Sequence, residues 1–577
     1  MITAIIAVLT LVALRPTYVP PLSQEPTSFD GQRAHEDLRT LTADFPRRIA
    51  GSDTDNQAML WIGNRLEEIG LRPHFEPFVA RIEDRERPLQ NIWAESKGSR
   101  AEVILLIANR DSPPFSTQGA DNNASGVAAL LELARVFTLQ SHTYRFIFLW
   151  SDGDTYGALG TQDFLRKHPE ITVRAALALQ QVGLAGARSI ELEGWSASDS
   201  TAPPWLWELA SNAGSAEGGI KTPLPTLTSQ VLHLAMPVGG GSQAPLVAAG
   251  IPALTLRASG TRRPSPDLDT VSTTSARTLT RLGRTTERLV MSIDAVETNV
   301  SGSGRAVFFS RGRALPGIAV TLVLLVLLAP LATVVWRLAV AKPHSRRLGP
   351  ALFLYLLRIG PWFLMLLLLY FANLTTMLPR SAGAAFSPDS RVAHSPQYLR
   401  AFLLAALLAL LVLYAHAIEQ RFLRRTPVPP EHTVTVVHYA LLALAVLALL
   451  VNPFTVVLLL PAAICWPLAK PGPWPVSRLP AWLGLIGLGV ALIYFGARLH
   501  LGWHVWWYFL LLIENRTVPV GAALAGICFV AAAIHLGHHL CRPSQKRPRE
   551  LTSRRSPAAQ AEPPARNAAG PQPPLSQ

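Results

Sequence analysis

Ile107-Ala-Asn-Arg-Asp-Ser-Pro-Pro-Phe-Ser-Thr-Gln-Gly-Ala-Asp-Asn-Asn-Ala-Ser-Gly-Val-Ala-Ala-Leu-Leu-Glu-Leu-Ala-Arg135 decides the fold, because an apolar strand over residues 103–108 runs through a polar loop into a helix of apolar period. Acidic and amide side chains at a strand's carboxyl end, facing a helix N-terminus, stand where open α/β sheets hold metals and ligands. The surrounding chain repeats the alternation. Residues 58–69 carry Met59, Leu60, Ile62, Leu66 and Ile69 at helical spacing, closed by Gly70. Strand-like runs fall at 103–108, 144–150, 176–182 and 251–256, with helical patterns at 126–137 and 157–166 between them. Residues 25–299 therefore read as an α/β domain whose largely parallel or mixed sheet is covered on both faces.

The rest of the chain has another character. At 577 residues it exceeds one compact domain, and a hydrophobic content of 49% is above the soluble norm. Apolar segments at 316–336, 352–374, 401–418, 434–451, 454–468, 479–497 and 518–540 are candidate membrane spans, 454–468 being the weakest. They make residues 316–541 a polytopic membrane domain of about seven helices. Residues 300–315, opening on Ser301-Gly-Ser-Gly304, read as a flexible linker. The tail at 542–577, rich in Pro, Arg, Ala and Gln, is expected to be disordered. Residues 2–14 are apolar but too short to span a bilayer, and read as a signal peptide or, by preference, an uncleaved anchor. With the tether that holds Pro16, Pro20 and Pro21 they form a segment over 1–24.

The net charge of +14, from 52 Lys and Arg against 38 Asp and Glu, sits mostly in short runs beside apolar segments, so it reads as a topology signal and not as a nucleic-acid surface. Lys342, Arg346 and Arg347 follow the first candidate, Arg421, Arg424 and Arg425 the third, Lys470 and Arg478 the fifth, and Arg542, Lys546, Arg547 and Arg549 the last. Alternate connections are basic, which puts that side and the tail in the cytoplasm and the α/β domain outside the cytoplasm. Trp503, Trp506 and Trp507 suit the outer interface. Arg358 is expected to snorkel, and none of the candidate spans has an acid at its middle, which counts against a proton-coupled transporter. Cys465, Cys528 and Cys541 all lie in the C-terminal half, so the α/β domain has no internal disulfide.

Several motifs in order carry a resemblance. Arg47-Arg-Ile-Ala-Gly-Ser52 precedes a helix, Leu89-Gln-Asn-Ile-Trp-Ala94 reads as a core strand, and Gly119-Ala-Asp-Asn-Asn-Ala-Ser-Gly126, Asp152-Gly-Asp-Thr-Tyr-Gly-Ala-Leu-Gly160 and Gly250-Ile-Pro-Ala253 follow. Over about residues 35–290 the chain resembles the co-catalytic di-zinc exopeptidases of the aminopeptidase Y and bacterial leucyl aminopeptidase type. The resemblance implies a site in which two zinc ions share a carboxylate and a glutamate takes a proton from metal-bound water. Carried over residue by residue, the bridging carboxylate falls on Asp121 and the aspartate that orients a histidine on Asp111. The ligand histidine itself falls on Asn109, the general base on Asp154, the next ligand glutamate on Thr155, the following aspartate on Gln180, and the last histidine near Ser265, ahead of Asp269-Thr270.

Neutral side chains thus stand at four of the five expected ligand positions. Zinc prefers imidazole, thiolate and carboxylate, and one Asp121 cannot hold two dications. His35, His74, His142, His168 and His233 show no ligand spacing that would rebuild the site, and Ser242 in Gly239-Gly-Gly-Ser-Gln243 has no placed histidine and acid to make it a nucleophile. The expectation is a membrane-bound relative without resident zinc, catalytically inactive or altered, that binds a peptide or protein in the inherited cleft. An active metallo-exopeptidase that keeps zinc at an unusual site is the alternative, and a transporter or receptor working through its spans is the third.

Overall fold

The computed structural model describes residues 2–82, 85–217, 219–260, 264–297, 300–340, 348–375, 378, 388, 391–469 and 479–539. The expectations for Lys342, Arg346, Arg347, Lys470, Arg478 and the tail from Cys541 onward lie outside the described residues. Helix α1 (Ile2–Ala13) leads to a two-residue strand, β1 (Arg15–Pro16). The α/β domain follows in the order α2 (Gly31–Asp44), α3 (Asp53–Glu68), β2 (His74–Ile82), β3 (Arg85–Ser96), β4 (Arg100–Asn109), α4 (Ser125–Thr138), β5 (Tyr144–Ser151), α5 (Leu159–Lys167), β6 (Val173–Leu179), β7 (Ser189–Glu193), α6 (Pro204–Ala216), α7 (Leu227–Ala235), α8 (Gln243–Ala248), β8 (Ala253–Ser259) and α9 (Ala276–Asp294).

Seven strands form one mixed sheet in the order β2-β3-β5-β4-β6-β8-β7. Strands β5, β4, β6 and β8 run parallel at its centre, while β2, β3 and β7 add antiparallel edges. The alternation along β4 explains its place. Ile104, Leu106 and Ala108 enter the larger core with α2, α3, α4, α6 and α9, whereas Val103, Leu105 and Ile107 pack with α5 and α8 on the other face. A strand apolar on both faces belongs at the centre of a covered sheet. From β4 the chain goes first to β5 on one side and later to β6 on the other, so a crevice opens at the carboxyl ends of β4 and β6.

The loop from β4 to α4 is fixed by two fully buried arginines. Arg110 donates to Asp55 at 2.9 and 2.6 Å, to the Gln90 carbonyl at 2.8 Å, and lies 3.1 Å from Asp152. Arg48 donates to the carbonyls of Phe45, Arg110, Gln118 and Gly119, so one guanidinium joins both ends of the loop. Gly119 turns the chain at φ 60°, where an added Cβ would stand 2.6 Å from that of Ser112. Ser52 caps α3 by accepting the Asp55 amide, which delivers Asp55 to Arg110.

Residues 300–315 are not a free linker. They hold β9 (Val307–Ser310) and β10 (Arg313–Leu315), which pair with each other and with β1 in a three-stranded sheet. Gly304 exchanges backbone hydrogen bonds with Thr201, and Ser301 accepts the Trp205 indole. The Gly-Ser composition hid these partners, which come from distant parts of the chain.

Beyond them come α10 (Gly317–Leu327), α11 (Ala329–Val340), α12 (Gly349–Leu374), α13 (Arg391–His394), α14 (Tyr398–Arg425), α15 (Pro430–Val451), α16 (Val456–Cys465), α17 (Leu479–Leu483), α18 (Ile486–Arg498), α19 (Val505–Glu514) and α20 (Val520–His539). Among the described residues, five helical segments are long and apolar enough to cross a membrane, and six if α10 and α11, bent by 43°, count as one. The candidate at 454–468 is a shorter piece, with Pro461 inside α16 and a 3-10 turn at each end. Its first turn nonetheless meets the α/β domain, and Trp466 after it donates to Ala481 at the start of the next span. Arg358 is also not a snorkelling cation: its guanidinium binds both oxygens of buried Glu419 at 2.8 and 2.7 Å. Glu419 lies just past the apolar run that marked the third candidate, so composition alone passed over the pair.

The two halves are fastened through α7. Leu232, Leu234 and Ala235 share an apolar cluster with Val307, Phe454, Leu458 and Ala491. Asn452 donates to the Leu234 carbonyl and Thr455 to that of Ala235. His233 stacks on Trp195 and meets Tyr494 and Phe495 edge-on, and burial lowers its pKa to about 4, keeping it neutral there. Arg498 pairs with Glu191 and Glu193 on β7.

Arg110→Met would leave Asp55 and Asp152 buried without their cation. Thermal unfolding of the full chain should show a loss of about 3–5 kcal/mol, the usual cost of breaking a buried ion pair.

Candidate functional site

The residues carried over by the resemblance gather at the carboxyl ends of the parallel strands, with one exception. Asn109 ends β4 opposite Ser151 of β5, and Gln180 and Arg257 each follow a residue of the β6–β8 pairing. Period-two alternation turns Ile107, Ala178 and Ala253 toward α5 and α8, so Asn109, Gln180 and Arg257, at even offsets from these, share that face.

Asn109 is held within an amide network. Its Nδ2 donates to the Asp111 carbonyl at 2.9 Å and stands 3.5 Å from the Thr155 hydroxyl, while its Oδ1 accepts Asn123 Nδ2 at 2.9 Å. Asn123 also donates to the Leu179 carbonyl and accepts the Gln181 amide, stitching the end of β4 to the end of β6. Asp111, fully buried, accepts the Thr155 amide at 3.1 Å. Burial raises its pKa to about 7, against the lowering effect of the Thr155 hydrogen bonds.

Asp121 Oδ1 accepts the Gly183 amide at 2.9 Å and faces the Ser125 hydroxyl at 3.3 Å. The amides of Asp121 and Asn122 both donate to Asp269, at 2.7 and 2.9 Å. Burial raises the Asp269 pKa, with those same amides opposing it.

Asp154 is enclosed. Its Oδ2 accepts the hydroxyls of Ser151, Thr161 and Ser242 at 2.7, 2.6 and 2.6 Å, and its Oδ1 accepts the Thr161 amide at 3.0 Å. Four protein donors thus hold this carboxylate, three of them on Oδ2. Ser242, considered above as a nucleophile, donates its proton to this carboxylate. Gln180 meets a cation: Arg257 Nη2 donates to its Oε1 at 2.5 Å, while Arg257 Nη1 lies 3.6 Å from Glu193. Glu193 in turn faces Arg498 of α18, so charged contacts run from the cleft to the membrane domain.

Asn109, Asp111 and Thr155 are therefore in contact, Asp154 adjoins Thr155, and Asp121 and Gln180 reach the same crevice through the loop after β6. Ser265 does not join them. It is exposed, precedes a 3-10 turn, and uses only its carbonyl, toward Leu268. Asp269, four residues later, enters in its place. Asn123, Arg257 and Asp269 were not singled out as site residues, although Asp269-Thr270 lay beside the last motif. Arg257 lies on β8 beyond the Gly250-Ile-Pro-Ala253 motif, and its side chain gave no signal.

Among the described residues, no three His, Cys, Asp or Glu of this cleft stand at metal-ligand spacing. With amides at two positions, a hydroxyl at a third, and a guanidinium against Gln180, the donor set does not fit a pair of zinc ions.

Residues 91–290 match the model of Peptidase family M28. Among relatives, the chain is 24% identical over 159 residues to the alkaline phosphatase isozyme conversion protein of Escherichia coli K12, covering 24% of this chain and 46% of that protein. It is 37% identical over 86 residues to the BOS complex subunit ncln of Danio rerio, covering 13% of this chain and 15% of that one. The chain thus spans under half of either relative. Among solved structures, a zinc aminopeptidase from Bacillus subtilis is 15% identical, with a TM-score of 0.40, covering 47% of this chain and 99% of its own. A glutaminyl cyclase from an Acidobacteriales bacterium is 20% identical, with a TM-score of 0.39, covering 48% and 99%.

Two predictions follow from the geometry. A carboxyl with a raised folded pKa holds its proton more tightly in the folded than in the unfolded state. Asp111 therefore costs nothing below its unfolded value near 4, and lowers stability as pH rises toward and through about 7. Asp111→Asn keeps an acceptor for the Thr155 amide and should raise the unfolding free energy more at pH 8 than at pH 5, by on the order of 1 kcal/mol or more. Equal shifts at the two pH values would contradict this. The second concerns the lost ligands. Asn109→His, Thr155→Glu and Gln180→Asp together, without a change at the distant Ser265, should gain zinc affinity, measured by calorimetry, only when Arg257→Leu is added, because Arg257 would otherwise pair with the new aspartate.

Proposed function

We propose that this integral membrane protein uses its M28-like α/β domain as a non-hydrolytic binding module, held outside the cytoplasm on the membrane bundle and engaging a peptide or protein partner through the former catalytic cleft. The observation that carries the reading is the enclosure of Asp154. The carboxylate at the general-base position accepts four hydrogen bonds from protein donors, one of them from Ser242 on the glycine loop that follows α7.

That loop starts where α7 meets the membrane domain. Helix α7 is anchored to Asn452 and Thr455, and Ser242 lies a few residues beyond it, so the cover of the cleft and the bundle form one connected unit. The relative named as a BOS complex subunit supports assembly with other proteins. The basic run Arg421, Arg424 and Arg425 at the end of α14 supports a cytoplasmic position for that end of the bundle and for the tail.

The test is aminopeptidase assay of the purified full chain, with zinc supplied, against Leu-, Arg- and pyroglutamyl-terminated chromogenic peptides. The reading predicts no release above a buffer blank. Chelator-sensitive release that Asp121→Asn abolishes would contradict it and restore the metallo-exopeptidase reading.

A further inference from the structure

At one end of the membrane bundle, two helices bring together a set of side chains that the α/β domain has no use for. His416 and Glu419 lie one turn apart on α14, and His538 approaches them from α20. Glu419 is buried, with its Oε2 3.8 Å from His416 Nδ1 and its Oε1 3.5 Å from His538 Nε2. The three ligand atoms lie within 4.8 Å of one another, and the two imidazole rings meet edge to face at 5.5 Å.

These separations are informative. They exceed the roughly 2.7–3.2 Å of a nitrogen–oxygen hydrogen bond, so the imidazoles face the carboxylate without closing on it. Two ligands at about 2.0–2.1 Å from a tetrahedral zinc stand roughly 3.4 Å apart, close to the spacing observed. The donor types also match: two imidazoles and one carboxylate are a set zinc accepts, with one position left open. Ligands placed one turn apart on bundle helices are a recurrent way of building metal sites inside helical bundles.

We propose that His416, Glu419 and His538 form a binding site for a divalent transition metal of the zinc class, independent of the cleft in the α/β domain. Arg358 defines the metal-free state. Its guanidinium binds both oxygens of Glu419 and so neutralises a buried charge that would otherwise be costly. An incoming dication competes with that guanidinium for the same carboxylate, making the site one that exchanges its ion. Access is open on one side, since His416 remains 46% exposed. His416 Nε2 faces the Gln420 amide nitrogen at 3.3 Å, and ligation through Nδ1 would require that amide to turn its oxygen toward an Nε2–H.

The experiment is titration of the metal-stripped full chain in detergent with cobalt(II), read by ligand-field absorption and followed by displacement with zinc. One ion per chain is expected, with binding weakened at least about tenfold by His416→Gln and by His538→Gln, and tightened by Arg358→Gln. His416→Cys should retain the ion, because thiolate is also a zinc ligand, whereas a merely structural contact would not distinguish Cys from Gln in this way. His416 is half exposed, so its variants leave the fold intact. Absence of cobalt binding, or binding that both histidine variants leave unchanged, would overturn the site. So would binding that Asp121→Asn abolishes, which would place the ion in the α/β domain.

Discussion

The buried cluster of Arg110 with Asp55 and Asp152, and Arg48 beside it, is the constraint on which the rest of the α/β domain depends. It ties the end of β4 to α3, to β3 through the Gln90 carbonyl, and to the loop after β5 through Asp152. Charges buried to this degree are costly unless each meets its counterpart, as Arg110 does in Asp55 and Asp152. The cluster therefore helps set the path of residues 110–119. On this frame the turn between β4 and α4 holds Asn109 beside Thr155.

The cleft is lined by polar groups that bond one another. Asn109, Asn123 and the Leu179 carbonyl form one network, and Asp154 with three hydroxyls forms another. A third set of contacts reaches outward. Gln180, Arg257, Glu193 and Arg498 form a line of contacts from the crevice to α18, and His233 and α7 fasten the neighbouring loop to the same bundle. The cleft and the membrane domain are joined at two places.

The sequence was most legible where a single local rule decides. Apolar alternation located β4, β5, β6 and β8, because a strand covered on both faces must be apolar throughout, and the helix after Ser125 followed from its period. The resemblance pointed to Asn109, Asp111, Thr155 and Gln180, and these lie at or just beyond the ends of those strands. Ser265 could not, since it lies in an exposed turn where spacing carries no information about direction, and Asp269 reaches the site instead. Long side chains and distant partners were the least legible. Arg257 acts across two strands, Glu419 is held by an arginine 61 positions away, and β9 and β10 form only by meeting β1. The helical run Pro453–Leu468 matches the segment that composition had marked, and it is shorter than the other candidate spans.

The central claim is that protein donors occupy the former metal cleft. Diffraction from crystals grown with zinc, with anomalous differences collected at the zinc absorption edge, tests it most directly. The account predicts no anomalous peak at coordination distance, about 2.0–2.2 Å, from the Asp121 carboxylate. It also predicts density joining Asp154 to the Ser151, Thr161 and Ser242 hydroxyls. A zinc peak bound to Asp121, with Asp154 turned toward a metal-bound water, would contradict it.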